Sequence, residues 1–284
     1  MKNQYILNLT CIDQLGIVAT ISSALAEMGL FILELAQFSD PSTEQFFMRI
    51  FFENTREIAK EDLIKKIDEV GAKFKITWNL QDKNFRPNVL IMVSKLSHCL
   101  NDLLYRWSNN ALPINIKGIL SNHEDLKGMV SWYQIPFHFF PLTSQTKKEQ
   151  EEKLLQLIKQ ENIDLVVLAR YMQILSEDVC KKMHGKIINI HHSFLPSFKG
   201  AKPYQQAFDR GVKIIGATAH YVTPELDEGA IIDQETIHVG HHQSVEEFMQ
   251  LGQDIECQVL ARAVKWHSEQ RVILNNHKTV VFNP

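Results

Sequence analysis

The 284-residue chain is poor in several features, and each absence removes a class of protein. Its four cysteines, Cys11, Cys99, Cys180 and Cys257, are scattered and form no C-x-x-C pair. Neither a disulfide frame nor a thiolate metal site is expected, and reduced thiols in a cytoplasm are the simplest reading. No stretch approaches the roughly 18 uninterrupted apolar residues of a membrane helix. The opening Met1-Lys2-Asn3-Gln4 runs into a strand-like stretch without an apolar signal core, so no membrane partner is expected. A formal net charge of −3 offers no basic excess for nucleic acid. Lys181-Lys182 is balanced by Glu177 and Asp178, which suits a solvated helix face. Internal repeats and low-complexity segments are also missing. What is present is ordinary for an enzyme: 45% hydrophobic and 22% charged residues, over a length that suits two domains.

The first part of the chain alternates between strand and helix signals. Tyr5–Leu9 reads as a strand, followed by the turn Asp13-Gln14-Leu15-Gly16. Ile17, Ile21, Leu25 and Met28 recur at helical spacing before Gly29. Phe31–Phe38 and Phe46–Phe52 read as strands flanking Asp40-Pro41-Ser42, Ile58–Val70 as a second helix ending at Gly71, and Phe74–Trp78 as a fourth strand. The order βαββαβ predicts a small ferredoxin-like antiparallel sheet with helices on one face.

Polar residues 81–88, ending in Arg86-Pro87-Asn88, mark a boundary; the expected domains are 1–84 and 85–284. Beyond it, strands expected at Val89–Val93, Ile114–Leu120, Phe137–Phe140, Asp164–Ala169, Ile187–Ile190 and Ile214–Val222 are near-continuous apolar runs. Helical patterns fall at His98–Trp107, Lys147–Gln160 and Val245–Ser268, and a last strand at Lys278–Phe282. This predicts an α/β fold, a doubly wound and mostly parallel sheet that binds ligands at the carboxyl ends of its strands.

The run from Ile188 to Gly200 carries the chemistry. Asn189 and His191, two apart at a strand end, share one face. An amide and an imidazole there suit the oxygen of a carbonyl under attack. Further on, the acid-rich loop Thr223-Pro224-Glu225-Leu226-Asp227-Glu228-Gly229 offers a carboxylate to take a proton or hold the imidazole, with His220 placed to orient it. Leu168–Ser176 leaves a buried strand; Tyr171, Met172, Ile174 and Leu175 suit a flat apolar slot, although core packing accounts equally well for Ile174 and Leu175.

Together, Asn189–Gly200, His220, Val222 and the Leu-Asp-x-Gly of Leu226–Gly229 resemble the folate-dependent formyltransferase family over about Val89–Ala263. The resemblance implies Asn189, His191 and Asp227 as the catalytic triad. It also implies a folate pocket at Tyr171, Met172, Gln173, Leu175, His220 and Val222, with Arg170 where the family has glycine. The Asp-x-x-Gly turn within βαββαβ resembles an ACT domain, the alternative being a generic ferredoxin-like unit for dimer contacts. If an ACT domain, it implies amino-acid sensing near Asp13 and Gly16.

Within the family, members that formylate glycinamide ribonucleotide carry a glycine-rich phosphate turn after the first α/β strand. Here that loop reads Ser94-Lys95-Leu96-Ser97-His98 without glycine. A cradle of amides is disfavoured, leaving Lys95 and His98 to hold an anion by charge alone. A C-terminal tRNA-binding barrel is not expected either. An ACT-like module ahead of the catalytic domain, and His192 where nucleotide-formylating members have proline, resemble the family's hydrolytic branch. The implied activity is hydrolysis of 10-formyltetrahydrofolate to tetrahydrofolate and formate, which feeds purine synthesis and balances one-carbon pools. The alternatives are formyl transfer to an amine and a non-catalytic folate or amino-acid sensor. The folate is substrate and no cofactor or metal is expected, the N-formyl group being already activated. Glycine or methionine is the implied effector, and a homo-oligomer the implied assembly.

Overall fold

The computed structural model describes residues 3–143, 145–197 and 203–283. Contacts divide the chain into two compact units, residues 1–85 with 269–273 and 280–284, and residues 86–268 with 274–279. The sequence reading gave all of 85–284 to the second domain; two short C-terminal segments instead pack with the first.

In the first unit, β1 (Gln4–Ile12), α1 (Ile17–Glu27), β2 (Phe31–Asp40), β3 (Gln45–Glu53), α2 (Lys60–Ala72) and β4 (Thr77–Asp82) form a four-stranded antiparallel sheet in the order β2-β3-β1-β4. Leu7, Leu9, Met48, Ile50 and Phe52 are buried on it beneath Ile17, Ile21 and Leu25 of α1 and Leu63 and Ile67 of α2. The fourth strand begins three residues later than its expected start at Phe74. Phe74 packs into this core, and Lys75, in a left-handed conformation at φ 53°, turns the chain before extension can begin. Arg49 of β3 draws in one C-terminal segment: it is fully buried, pairs with Glu34 at 2.9 Å, and donates to the carbonyls of Gln270 and Glu269.

In the second unit, β5 (Asn88–Val93), α3 (His98–Ser108), β6 (Asn115–Ser121), α4 (Lys127–Trp132), β7 (Phe137–Phe139), α5 (Lys147–Gln160), β8 (Leu165–Leu168), α6 (Glu177–Lys182), β9 (Ile187–His191), α7 (Pro203–Asp209), β10 (Ile214–Tyr221), β11 (Ile231–His238) and α8 (Val245–Ser268) build a seven-stranded sheet ordered β11-β10-β9-β8-β5-β6-β7. β12 (Val272–Asn275) and β13 (Lys278–Val281) pair as a final hairpin. The centre of the sheet is parallel, as the apolar runs predict: Val89, Leu90, Ile91, Met92 and Val93 of β5 are all out of water. The edge β9-β10-β11 is antiparallel. For β10 and β11 the reason is the short connection of residues 222–230, which permits only a hairpin. α8 packs on β9, β10 and β11 through a stripe of Phe248, Gly252, Ile255, Glu256, Val259, Leu260 and Ala263 at three- and four-residue intervals. An acid within that stripe is unusual, and it bears on the site.

Candidate active site

The carboxyl ends of β8 and β9 and the loop between β10 and β11 enclose a cavity of about 310 Å³, at the lower end of the size that small-molecule sites occupy. Every residue expected in the triad and the folate pocket lines it: Asn189, His191 and Asp227, with Tyr171, Met172, Gln173, Leu175, His220 and Val222. Leu175 also packs into the core cluster beside β8, so its two readings are compatible, whereas Ile174 is exposed. Phe198, Lys199 and Gly200 of the expected motif lie outside the described residues.

Asn189 and His191 project on one face of β9, and antiparallel pairing sets His220 of β10 opposite Asn189. A bulge in the β10–β11 ladder falls at Ala219 and His220. His220 Nδ1 lies 2.9 Å from the Tyr221 carbonyl, which can only accept, so Nδ1 carries the hydrogen. Burial pushes the His220 pKa down, and the ring is neutral. Its Nε2 then accepts from the Asn189 amide nitrogen at 3.2 Å. This corrects the expected role of His220. Its Nε2 is 3.7 Å from Asp227 Oδ1, too far for a hydrogen bond, and the group it orients is the Asn189 amide.

Asp227 meets His191 instead, with Nδ1 at 3.3 Å from Oδ1. Burial acts to raise the Asp227 pKa, but the hydrogen bond from His191 and the neighbouring imidazoles outweigh it and hold the carboxyl below its usual range. The other His191 ring nitrogen, Nε2, is buried without a hydrogen-bond partner among the described residues. Asp227 sits at φ 58°, a left-handed conformation that aspartate tolerates better than most side chains. Two residues on, only glycine fits: a Cβ on Gly229 would come within 1.6 Å of the Tyr221 carbonyl oxygen. Further back, Ser94 at the end of β5 donates to Asn122 at 2.7 Å and accepts the Met172 amide at 3.1 Å, fixing the loop that follows β8.

Sequence reasoning missed a second cluster. Glu256 of α8 is fully buried; His98 bonds its Oε2 at 2.7 Å, Tyr204 donates to Oε1 at 2.5 Å, and Arg170 Nε stands 3.5 Å from Oε2. Burial acts to raise the Glu256 pKa, but these partners keep it low. Among the described residues, His98, Cys99 and Glu256 place possible metal-ligand atoms within 4.8 Å of one another, although His98 and Glu256 already bond each other. Lys95 is exposed and His98 is committed to Glu256, and neither lines the cavity. His192, whose ring centre is 5.1 Å from that of His191, is pushed down to about 3 by burial and by the Arg170 guanidinium. The legible signal for this cluster was the acid in the apolar stripe of α8.

A sheet that gathers an amide, an imidazole and a carboxylate at one apolar cavity defines an acyl-group enzyme of α/β class. Residues 87–264 match the formyl transferase family. A formyltetrahydrofolate deformylase from a Corynebacterium species is 47% identical over 98% of this chain and 98% of its own. The crystal structure of a formyltetrahydrofolate deformylase from Pseudomonas syringae pv. tomato superposes with a TM-score of 0.96 at 42% identity, covering 100% of this chain and 95% of that one. A phosphoribosylglycinamide formyltransferase from Anaplasma phagocytophilum matches 70% of this chain and 96% of its own, at 30% identity and a TM-score of 0.63. The chain belongs to the formyl transferase family, in its formyltetrahydrofolate deformylase branch.

The buried imidazoles give a pH prediction. His192 titrates at about 3 and His267, bonded to Tyr221, at about 4, whereas both take up protons near 6.5 once unfolded. The unfolded chain therefore binds more protons below pH 6.5, and stability falls as pH drops from 6.5 towards 4. Each histidine contributes up to about 1.4 kcal/mol per pH unit. Urea unfolding at pH 7, 6 and 5 should show this slope and His267→Phe should flatten it; an unchanged slope in the variant contradicts the assignment.

Proposed function

We propose that the chain hydrolyses 10-formyltetrahydrofolate to tetrahydrofolate and formate, with Asn189, His191 and Asp227 acting on the formyl carbon. The observation that carries this reading is the convergence of those three side chains on one cavity with an apolar wall. The pterin lies against Met172, Leu175 and Val222, with Tyr171 and Gln173 at its edge. Asp227, ionised, accepts the Nδ1 hydrogen of His191, which leaves a lone pair on the unpartnered Nε2. Water gives its proton to that lone pair as its oxygen bonds to the formyl carbon, and the carbonyl π pair moves onto oxygen. The Asn189 amide, with one hydrogen on His220 and the other uncommitted, donates to this oxyanion, and the imidazolium adds a second donor. Collapse breaks the bond between carbon and N10, N10 takes the proton held by His191, and the formic acid released gives its remaining proton to solvent and leaves as formate. Water and the folate are the only small molecules this chemistry calls on.

The first unit serves, in the same reading, as an ACT-like regulatory domain that binds glycine or methionine. Support comes from its βαββαβ order and from a cavity of about 530 Å³ lined by Asp13, Gly16, Ile17, Gln37, Ser39 and Phe46, in which Ser39 donates to Asp13. A homo-oligomer is supported by β2, an edge strand that exposes Phe31, Leu33, Leu35 and Phe38. The four cysteines, unpaired in the structure, fit a cytoplasmic setting.

Formate should appear when the protein is given 10-formyltetrahydrofolate and no amine acceptor; formate only after an amine is added would mean transfer instead. Asn189→Ala and Asp227→Ala should each lower kcat by roughly 10²–10³ with an unchanged circular dichroism spectrum. Near-normal turnover by Asp227→Ala removes it from the mechanism. Glycine or methionine should alter the rate of the unaltered chain and leave Asp13→Ala indifferent, and an equal response in both refutes the effector site. Sedimentation should give more than one chain mass, reduced by Leu35→Lys; a monomer at assay concentration ends the oligomer proposal.

A further inference from the structure

The mechanism leaves two charged side chains of the cavity unused, the exposed Glu225 and the buried Arg170. Arg170 follows β8 in a left-handed conformation at φ 65°, where a side chain other than glycine is disfavoured. Its side chain is 9% exposed and lines the cavity, and its Nε and Nη1 are buried without hydrogen-bond partners among the described residues. Guanidinium does not shed its proton in a protein, so these donors stay charged and unmade. The neighbouring acid meets this guanidinium as an ion pair rather than through a hydrogen bond. Glu256 Oε2 stands 3.5 Å from Nε, while Glu256 takes its short bonds from His98 and Tyr204. Buried polar groups nearly always find partners, and a charged donor left unmade is among the costliest exceptions.

The location is specific. The Arg170 charge helps to depress the pKa of His192, whose ring lies next to that of His191. Arg170 thus puts a cation in the same cavity wall that carries His191, His192, His220, Glu225 and Asp227, the last tied to His191. The formyl group of the substrate is neutral, and the fragment released by water is a monoanion.

We propose that Arg170 anchors a subsite for a small monocarboxylate, the formate leaving the reaction. This rests on the hydrolytic reading above and extends it to the product. A planar carboxylate matches guanidinium geometry, and the bond is charge-assisted at both ends. Charge also separates product from substrate: the subsite takes hold of the fragment only once hydrolysis has made it an anion. Folates carry carboxylates of their own in the glutamate tail. The enclosed position of Arg170 favours the smaller anion.

Binding is measured by calorimetric titration of the full chain with sodium formate, and with nitrate as a planar anion that cannot be a substrate. The unaltered chain should bind both, and Arg170→Gln should weaken both by roughly one to two orders of magnitude, the worth of a charge-assisted hydrogen bond. Arg170→Lys, which keeps the charge and loses the fork, should fall between them. In turnover assays, added formate should inhibit the unaltered chain and lose that effect in Arg170→Gln. Equal formate affinity in the unaltered chain and Arg170→Gln overturns the proposal, as does the absence of formate binding to the unaltered chain. A rise in KM for the folate on Arg170→Gln, abolished when the glutamate tail is amidated and unaccompanied by weaker formate binding, assigns the arginine to the tail and also overturns it. Should the variants fail to fold, a crystal of the unaltered chain soaked in formate decides, with formate density against Arg170 expected and its absence fatal. A chain that binds formate at Arg170 yet does not hydrolyse the folate would refute the activity and leave the subsite standing.

Discussion

The site depends on the register between β9 and β10. Asn189 stands directly across from His220, and His191 across from Thr218, so the groups that face the cavity are set by the same ladder that holds the sheet. Side chains alternate with a period of two, and a slip of one residue would turn Asn189 and His191 to the opposite face. The flanking hydroxyl reinforces the alignment: Thr218 donates to the Ser193 carbonyl and accepts the Leu195 amide, which clamps the chain leaving β9 to β10. The bulge at Ala219 and His220 adjusts the same strand where its imidazole must reach Asn189. Packing, pairing and chemistry are thus specified together.

Charge in this region is held by partners rather than by water. Glu256, buried in the face of α8, would be expelled or neutralised without His98, Tyr204 and Arg170 around it. Burial keeps His192 and His220 neutral, with the Arg170 guanidinium adding to it at His192, and His191 is the imidazole bonded to a carboxylate. Three histidines within a few ångströms therefore serve different purposes, and their environments make the division: a carbonyl partner for His220, a nearby guanidinium for His192 and a carboxylate for His191.

Much of this was legible in the sequence, for reasons that differ by element. Strand β5 and helices α1, α5 and α8 were readable because their apolar positions are continuous or periodic over several turns. The parallel centre of the sheet followed from runs such as Val89–Val93, and the cavity-lining set from a motif concentrated in β9 and in the loop from Thr223 to Gly229. The short helices α4 and α7 escape the sequence pattern, since six or seven residues hold too few apolar positions to fix a period, whereas α6 shows through its paired charges. The partner of His220 could not be read either, because the nearby carboxylate of Asp227 is the sequence neighbour and only the strand register brings the distant Asn189 amide across from it. Arg170 and Glu256 are far apart along the chain, and their pairing is a property of the fold alone. The expected start of β4 at Phe74 failed because an apolar aromatic suits a strand and a buried turn equally well.

The loop that carries Asp227 joins β10 to β11, and β11 is an edge strand with a neighbour on one side only. Asp227 in its left-handed conformation and the glycine pressed against the Tyr221 carbonyl keep that loop in place only while the hairpin is closed. Sheet margins open at lower free energy than sheet centres. Gentle warming can then free the carboxylate while β5, β6, β8 and β9 stay paired, so that on a melting curve turnover fades ahead of the backbone signal and returns on cooling.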